Sequence, residues 1–194
     1  NLARDSIREN DFLVIVEGYL DLIIPYQAGL KNIAASLGTA LTEKHVGIVK
    51  KITNRLVLAL DADAAGEMAT LRGIEVASHT FDQKVVPLPT PAGLISYEEE
   101  LDAEISVMVL PEGKDPDDVI KEGPEEWQRL LARAAPVVDY TFDLVVSGLD
   151  VTKARDKSQA VDQLLPLIAE IKHPVRRAHY LQKLSRAVGV DENT

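Results

Sequence analysis

Five short apolar runs, separated by polar or helix-spaced stretches, organise the first 110 residues of the chain. Phe12-Leu13-Val14-Ile15-Val16 is β-branched, apolar at every position and stops at Glu17-Gly18, the pattern of a strand buried on both faces. Asn32 to Ser36 predicts a second strand, Arg55 to Leu60 a third that ends abruptly in Asp61-Ala62-Asp63, and Ile105 to Leu110 a last one. Val85-Val86 begins another, but Pro87, Pro89 and Pro91 interrupt it, so residues 87–104 read as an inserted loop. Between these runs the spacing turns helical. Asn1 to Glu9 reads as the end of a polar helix, and Leu20 to Gly29 as a helix with Gly29 at its C-cap. Thr42 opens a helix to about Ile52, and residues 64–79 are Ala-rich and strong in helix propensity. After Asp115 the pattern is helical throughout, over 117–121, 124–134, 136–147, 153–171 and 174–188, with Pro124, Pro136 and Pro174 at helix starts.

Strand and helix alternating three times predict an α/β fold with a mainly parallel sheet, flanked by helices and joined by right-handed crossovers. The expected division is an α/β domain over 1–115 and a small all-α region over 116–194.

Composition narrows the chemistry. There is no cysteine, which removes disulfides, thiolate nucleophiles and Cys-ligated zinc, and the four histidines are scattered. Any metal chemistry must therefore use oxygen ligands. The net charge is −10 and unevenly spread: 1–150 holds 26 acids and 13 bases, while 151–194 holds 5 acids and 8 bases. So acidic a chain grips a nucleic-acid backbone poorly by itself. It can still handle phosphates through bound divalent cations, which reverse the sign of a carboxylate pocket. No apolar run approaches the roughly 20 residues of a membrane helix. No basic-then-apolar leader stands at the start, so a cytoplasmic protein without membrane contact is expected.

Carboxylates recur just past the expected strands: Glu17 after the first, Asp61 and Asp63 after the third, Asp115 and Asp117 after the last. In a parallel sheet these strand ends share one edge, where ligands bind. Acids gathered there repel unless hard divalent cations sit between them. Each group also has a plain structural account. Glu17 can satisfy donors at a helix start, Asp61 and Asp63 can cap the 64–79 helix, and Asp115-Pro116-Asp117 is a common turn-and-cap string. Asp21, one turn beyond Glu17, reads as a solvated helix residue. The joint occurrence at strand ends favours metal.

Four strings carry a family resemblance: Val16-Glu17-Gly18-Tyr19-Leu20-Asp21, Ala35-Ser36-Leu37-Gly38-Thr39-Ala40-Leu41-Thr42, Asp61-Ala62-Asp63-Ala64-Ala65-Gly66 and Leu110-Pro111-Glu112-Gly113-Lys114-Asp115-Pro116-Asp117. Glu17 and the DxD at 61–63 resemble the Toprim domain, and the four strings in order resemble bacterial replicative DNA primases of the DnaG type, well over about 1–145 and loosely beyond. The resemblance implies a Toprim-type sheet followed by the helical subdomain of an RNA polymerase core. It implies nucleotidyl transfer that makes short RNA primers on single-stranded DNA from nucleoside triphosphates. Glu17, Asp61 and Asp63 would be catalytic. With Asp115 and Asp117 they would hold two or more Mg²⁺ or Mn²⁺ ions, Asp21 lying in the outer shell, to activate a primer 3′-hydroxyl and neutralise the leaving pyrophosphate. The zinc-binding, basic and helicase-binding domains of such primases are not evident. The chain is therefore expected to be an excised segment, poorly active alone, that meets the replicative helicase through a domain absent here.

Three other readings compete: a receiver-like regulatory domain phosphorylated on Asp61, a Toprim strand-cleaving enzyme, and a non-catalytic nucleotide-binding module. Lys44, Lys50, Lys51 and Arg55 read as a solvated helix face, and Lys114 as a local counter-charge. Lys172, Arg176, Arg177, Lys183 and Arg186 form a basic stripe that suits nucleic acid or simple charge balance equally. Trp127, Tyr140 and Phe142 read as packing, and Gly38 as a tight turn.

Overall fold

The structure, a computed structural model, describes residues 2–36, 42–59, 83–89, 95–101, 103–169, 171 and 173–190. The expected 64–79 helix and the turn at 37–39 lie outside these. The chain divides into two compact units, one made of 1–82 with 102–137 and the other of 83–101 with 138–194.

The first unit is built on a five-stranded sheet. Strands β1 (Leu13–Val16), β2 (Ile33–Ala35), β3 (Arg55–Leu58) and β6 (Glu104–Val107) run parallel, and the short β7 (Ala135–Pro136) closes the edge antiparallel to β6, in the order β2-β1-β3-β6-β7. Every residue of β1 is buried, as its unbroken apolar run requires. Val14 and Val16 join Ile33, Val57, Ala59, Met108, Leu110, Val119, Ile120 and Trp127 in one core cluster. Around the sheet lie α1 (Arg4–Asn10), α2 (Tyr19–Gln27), α3 (Glu43–Val49), α4 (Pro116–Glu122) and α5 (Pro124–Ala132).

Local chemistry sets these boundaries. Thr42 Oγ1 accepts the His45 amide at 3.3 Å and starts α3, which ends at Val49 rather than Ile52. Helix α2 stops at Gln27, two residues before Gly29, whose φ of +101° suits only glycine. The last parallel strand stops at Val107 instead of Leu110, although the Met108 amide still reaches the Leu58 carbonyl at 2.8 Å.

The second unit holds α6 (Val137–Ser147), α7 (Ala154–Ala169) and α8 (Pro174–Val188), around a core of Phe142, Ala160, Leu164, Ile168, Ile171, Tyr180, Leu184 and Val188. Asp139 on α6 accepts the Tyr180 hydroxyl at 3.0 Å and the Lys183 ammonium at 3.0 Å. Lys183 also reaches Asp143 at 3.2 Å and lies over the Phe142 ring, so one member of the basic stripe is drawn inward. Trp127 and Phe142 are buried and Tyr140 half-buried, as packing residues should be.

One expectation is corrected. The strand begun at Val85-Val86 is present as β4 (Gln83–Pro89) and runs on through Pro87 and Pro89, and the stretch read as an inserted loop also holds β5 (Ile95–Leu101), paired antiparallel with β4 as a separate two-stranded sheet, while its last residue, Glu104, begins β6. Each strand of such a ribbon has an unpaired outer side, so Pro87 and Pro89 can lack an N–H without breaking the ladder. Among the described residues no helix is long and apolar enough to cross a membrane.

Candidate metal centre

Because β1, β3 and β6 are parallel, their carboxyl ends share one edge of the sheet. Glu17 leaves that edge directly after β1, and the segment from Met108 to Asp115 leaves it after β6. At the start of α2 the Gly18 amide donates to Asp21 Oδ2 at 2.8 Å, so the Asp21 side chain folds back over the first turn, where an acid is favoured. Asp21 is only 8% exposed. A Cβ on residue 18 would lie 2.8 Å from that same oxygen, so glycine gives the carboxylate its place.

The other wall comes from α4. Asp115 is its N-cap, with Oδ1 accepting the Asp118 amide at 3.0 Å and Pro116 in the first turn. Asp117 is 4% exposed. Helix α4 packs against α2, and one carboxylate oxygen from each of Asp21, Asp115 and Asp117 lies within 4.8 Å of the other two.

Like charges so close repel by about 3 kcal/mol at the effective dielectric of a protein surface. Asp115 is pushed up to about 6, first by its hydrogen bond with Asp117 and then by burial. Asp117 is held below the usual carboxylate range by that same hydrogen bond and by Lys121. Burial raises Asp21, with the charges of Asp117 and Asp118 adding to it and the Gly18 amide opposing it. Three hard oxygen donors at this spacing fit a divalent metal.

Of the residues expected to hold metal, the structure therefore brings Asp115 and Asp117 together. Asp115 is also the cap that the plain account foresaw. Glu17 is half-buried with its Oε1 inaccessible to water, and it stands outside the three-carboxylate group. Asp61 and Asp63 lie outside the described residues. Asp21 is the surprise, since it is buried and belongs to the group instead of being solvated. The available signal was its position three residues after Gly18, the spacing of a first-turn acid that turns back to its own helix start. Lys114 pairs with Glu122 at 2.6 Å, and Arg55 with Glu104 at 3.0 Å, while Lys44 and Lys51 are exposed.

Residues 14–95 match the family model described as Toprim-like, and residues 138–193 match the one described as the DnaB-helicase binding domain of primase. The second match corrects the expectation that helicase-binding sequence lies wholly in a domain absent from this chain. A DNA primase of Clostridium acetobutylicum is 31% identical over 183 residues, which are 94% of this chain and 27% of that protein. The chain spans less than a third of the length of such curated relatives. Among solved structures, a DNA primase domain from Pseudomonas aeruginosa aligns with a TM-score of 0.72 at 26% identity, over 98% of this chain and 55% of that one. A DnaG primase catalytic domain bound to ssDNA aligns with a TM-score of 0.73 at 27% identity, again over 98% and 55%.

Proposed function

We propose that this chain, which belongs to the DnaG-type DNA primase family as a segment of its catalytic core, is the cation-holding part of an RNA polymerase that lays short RNA primers on single-stranded DNA. The observation that carries this reading is the convergence of Asp21, Asp115 and Asp117 beside the carboxyl edge of a parallel sheet, next to a Toprim-like segment. Asp21 is fixed by the Gly18 amide and Asp115 by the Asp118 amide, so two of the three ligands are held before any cation arrives. Glu17 stands at the end of β1 as a further ligand or as the group that orients the attacking hydroxyl. Asp61 and Asp63, following β3, complete the acid set. Two or more Mg²⁺ or Mn²⁺ ions would supply positive charge against a nucleoside triphosphate and acidify a primer 3′-hydroxyl. The protein's share is placement and charge.

The measurement is calorimetric titration of Mn²⁺ into the 194-residue chain and into its Asp61→Asn and Asp117→Asn variants. Equal binding by all three would remove the reading. The net charge of −10 leaves most of the grip on template to basic surface elsewhere in the full protein, so this chain alone makes primers poorly. Efficient primer synthesis by the purified chain would contradict that. The match over 138–193 supports a second contact, between the helices α6 to α8 and a DnaB-type replicative helicase in the cytoplasm. Absence of binding between the chain and that helicase at micromolar concentrations would sink this contact and leave the cation site standing.

A further inference from the structure

Lys121 lies one helical turn beyond Asp117 on α4. Its Nζ is 2.5 Å from Asp117 Oδ2 and 3.5 Å from Asp118 Oδ1. The lysine side chain is 55% exposed, whereas that of Asp117 is 6% exposed. A surface ammonium thus reaches inward to a buried member of the three-carboxylate group and takes up one of its two oxygens. Lys114, seven residues earlier, is occupied differently, with both Glu122 oxygens at 2.6 Å and no contact to the three acids.

Two properties make the Lys121 contact exchangeable. An ion pair whose cation is this exposed is weak, because water solvates the ammonium almost as well as the carboxylate does. The lysine stem is flexible and its head is a compact point charge, so it can turn without disturbing α4. Asp118, half-exposed on the outer side of the same turn, offers it a place to go.

We infer that Lys121 is a tethered counter-charge, which neutralises Asp117 while the three carboxylates lack a metal and gives up that oxygen when a divalent cation enters, thereby setting the cation concentration at which the site fills. The inference rests on the proposed metal reading and deepens it. Lys121 is a positioning residue in this scheme, acting on the ion through Asp117.

The test uses the 194-residue chain with Mn²⁺ or Mg²⁺ alone. Calorimetry of the wild type, Lys121→Gln, Lys121→Arg and Asp117→Asn compares affinities. Lys121→Gln should bind Mn²⁺ roughly threefold tighter, the size of a weak competing ion pair, while Lys121→Arg, whose fork holds carboxylates more firmly, should bind no tighter than wild type. In ¹⁵N spectra, the Lys121 ammonium signal, identified by its loss in Lys121→Gln, should shift as diamagnetic Mg²⁺ is added. Equal or weaker Mn²⁺ binding by Lys121→Gln, or an unmoved ammonium signal, overturns the inference. If Asp117→Asn binds less Mn²⁺ while Lys121→Gln matches wild type, only the role of the lysine fails. If Asp117→Asn binds as the wild type does, the metal reading falls and the inference falls with it.

Discussion

Asp139 and Asp117 are both aspartates in the first turn of a helix, and the two units treat them in opposite ways. Asp139 is met by donors, the Tyr180 hydroxyl and the Lys183 ammonium, each at 3.0 Å. Asp117 is set among other acids, close to Asp21 and Asp115, with the exposed Lys121 as its cationic partner among the described residues. An acid whose charge is answered by its own chain ties helices together. An acid grouped with other acids leaves a demand for positive charge that something from outside can meet, and that is the mark of a site.

The strongest way to break this contrast is to exchange the outcomes of the two acids. Asp117→Asn should lower Mn²⁺ affinity by roughly 100-fold, while Asp139→Asn leaves it at the wild-type value, both read by calorimetry. Next in size, Asp139→Ala should destabilise the helical unit by about 2 kcal/mol in urea titrations, because a hydroxyl and an ammonium lose their acceptor. Metal-free Asp117→Asn should lose less stability than Asp139→Ala, since the repulsion it relieves offsets the lost Lys121 contact. If both variants lose stability alike, the two acids are doing the same job.

Gly18→Ala sharpens the comparison at the level of geometry. Its Cβ meets Asp21 Oδ2 at 2.8 Å, and the carboxylate is the flexible partner that yields. Mn²⁺ affinity should fall roughly tenfold with little change in melting temperature.

Smallest is the pH dependence of metal-free stability. Asp115 sits at about 6 in the folded chain against an ordinary 3.8, so its contribution is full below about 4 and is lost as pH rises through 6. Asp117 is depressed, so its contribution is present above about 4 and is lost as pH falls below its folded value. Together they put the maximum near 4, with stability falling from there as pH rises to 6. Tyr180, raised from 10 to about 12 by burial and then by Asp139, contributes below 10 and loses that contribution as pH climbs through 12. Denaturation curves from pH 3 to 12, with and without Mn²⁺, would separate the two; saturating Mn²⁺ should remove the acid-side maximum and leave the alkaline loss unchanged.

The parallel sheet was legible because β1 is apolar throughout and β3 is apolar after Arg55, a pattern that burial on both faces imposes. The closeness of Asp115 and Asp117 was legible because both follow one buried strand toward the edge where ligands bind, and their role as ligands belongs to the proposal. The run of β4 past Pro87 and its pairing with β5 were not, since prolines suggest a break unless the strand's free outer side is known. Nor was Asp21, whose helical spacing looked like solvent exposure; its burial depends on α4 arriving from nearly a hundred residues away. Glu17, Asp61 and Asp63 keep the roles proposed for them on the strength of position and family.

The cap at Asp115 has a practical consequence. One carboxylate both secures the Asp118 amide and looks across at Asp21 and Asp117. Whatever pulls on that carboxylate must tighten or loosen the opening turn of α4. Deuterium uptake at a single backbone position, the Asp118 amide, therefore works as a built-in gauge of how heavily the neighbouring acids are loaded.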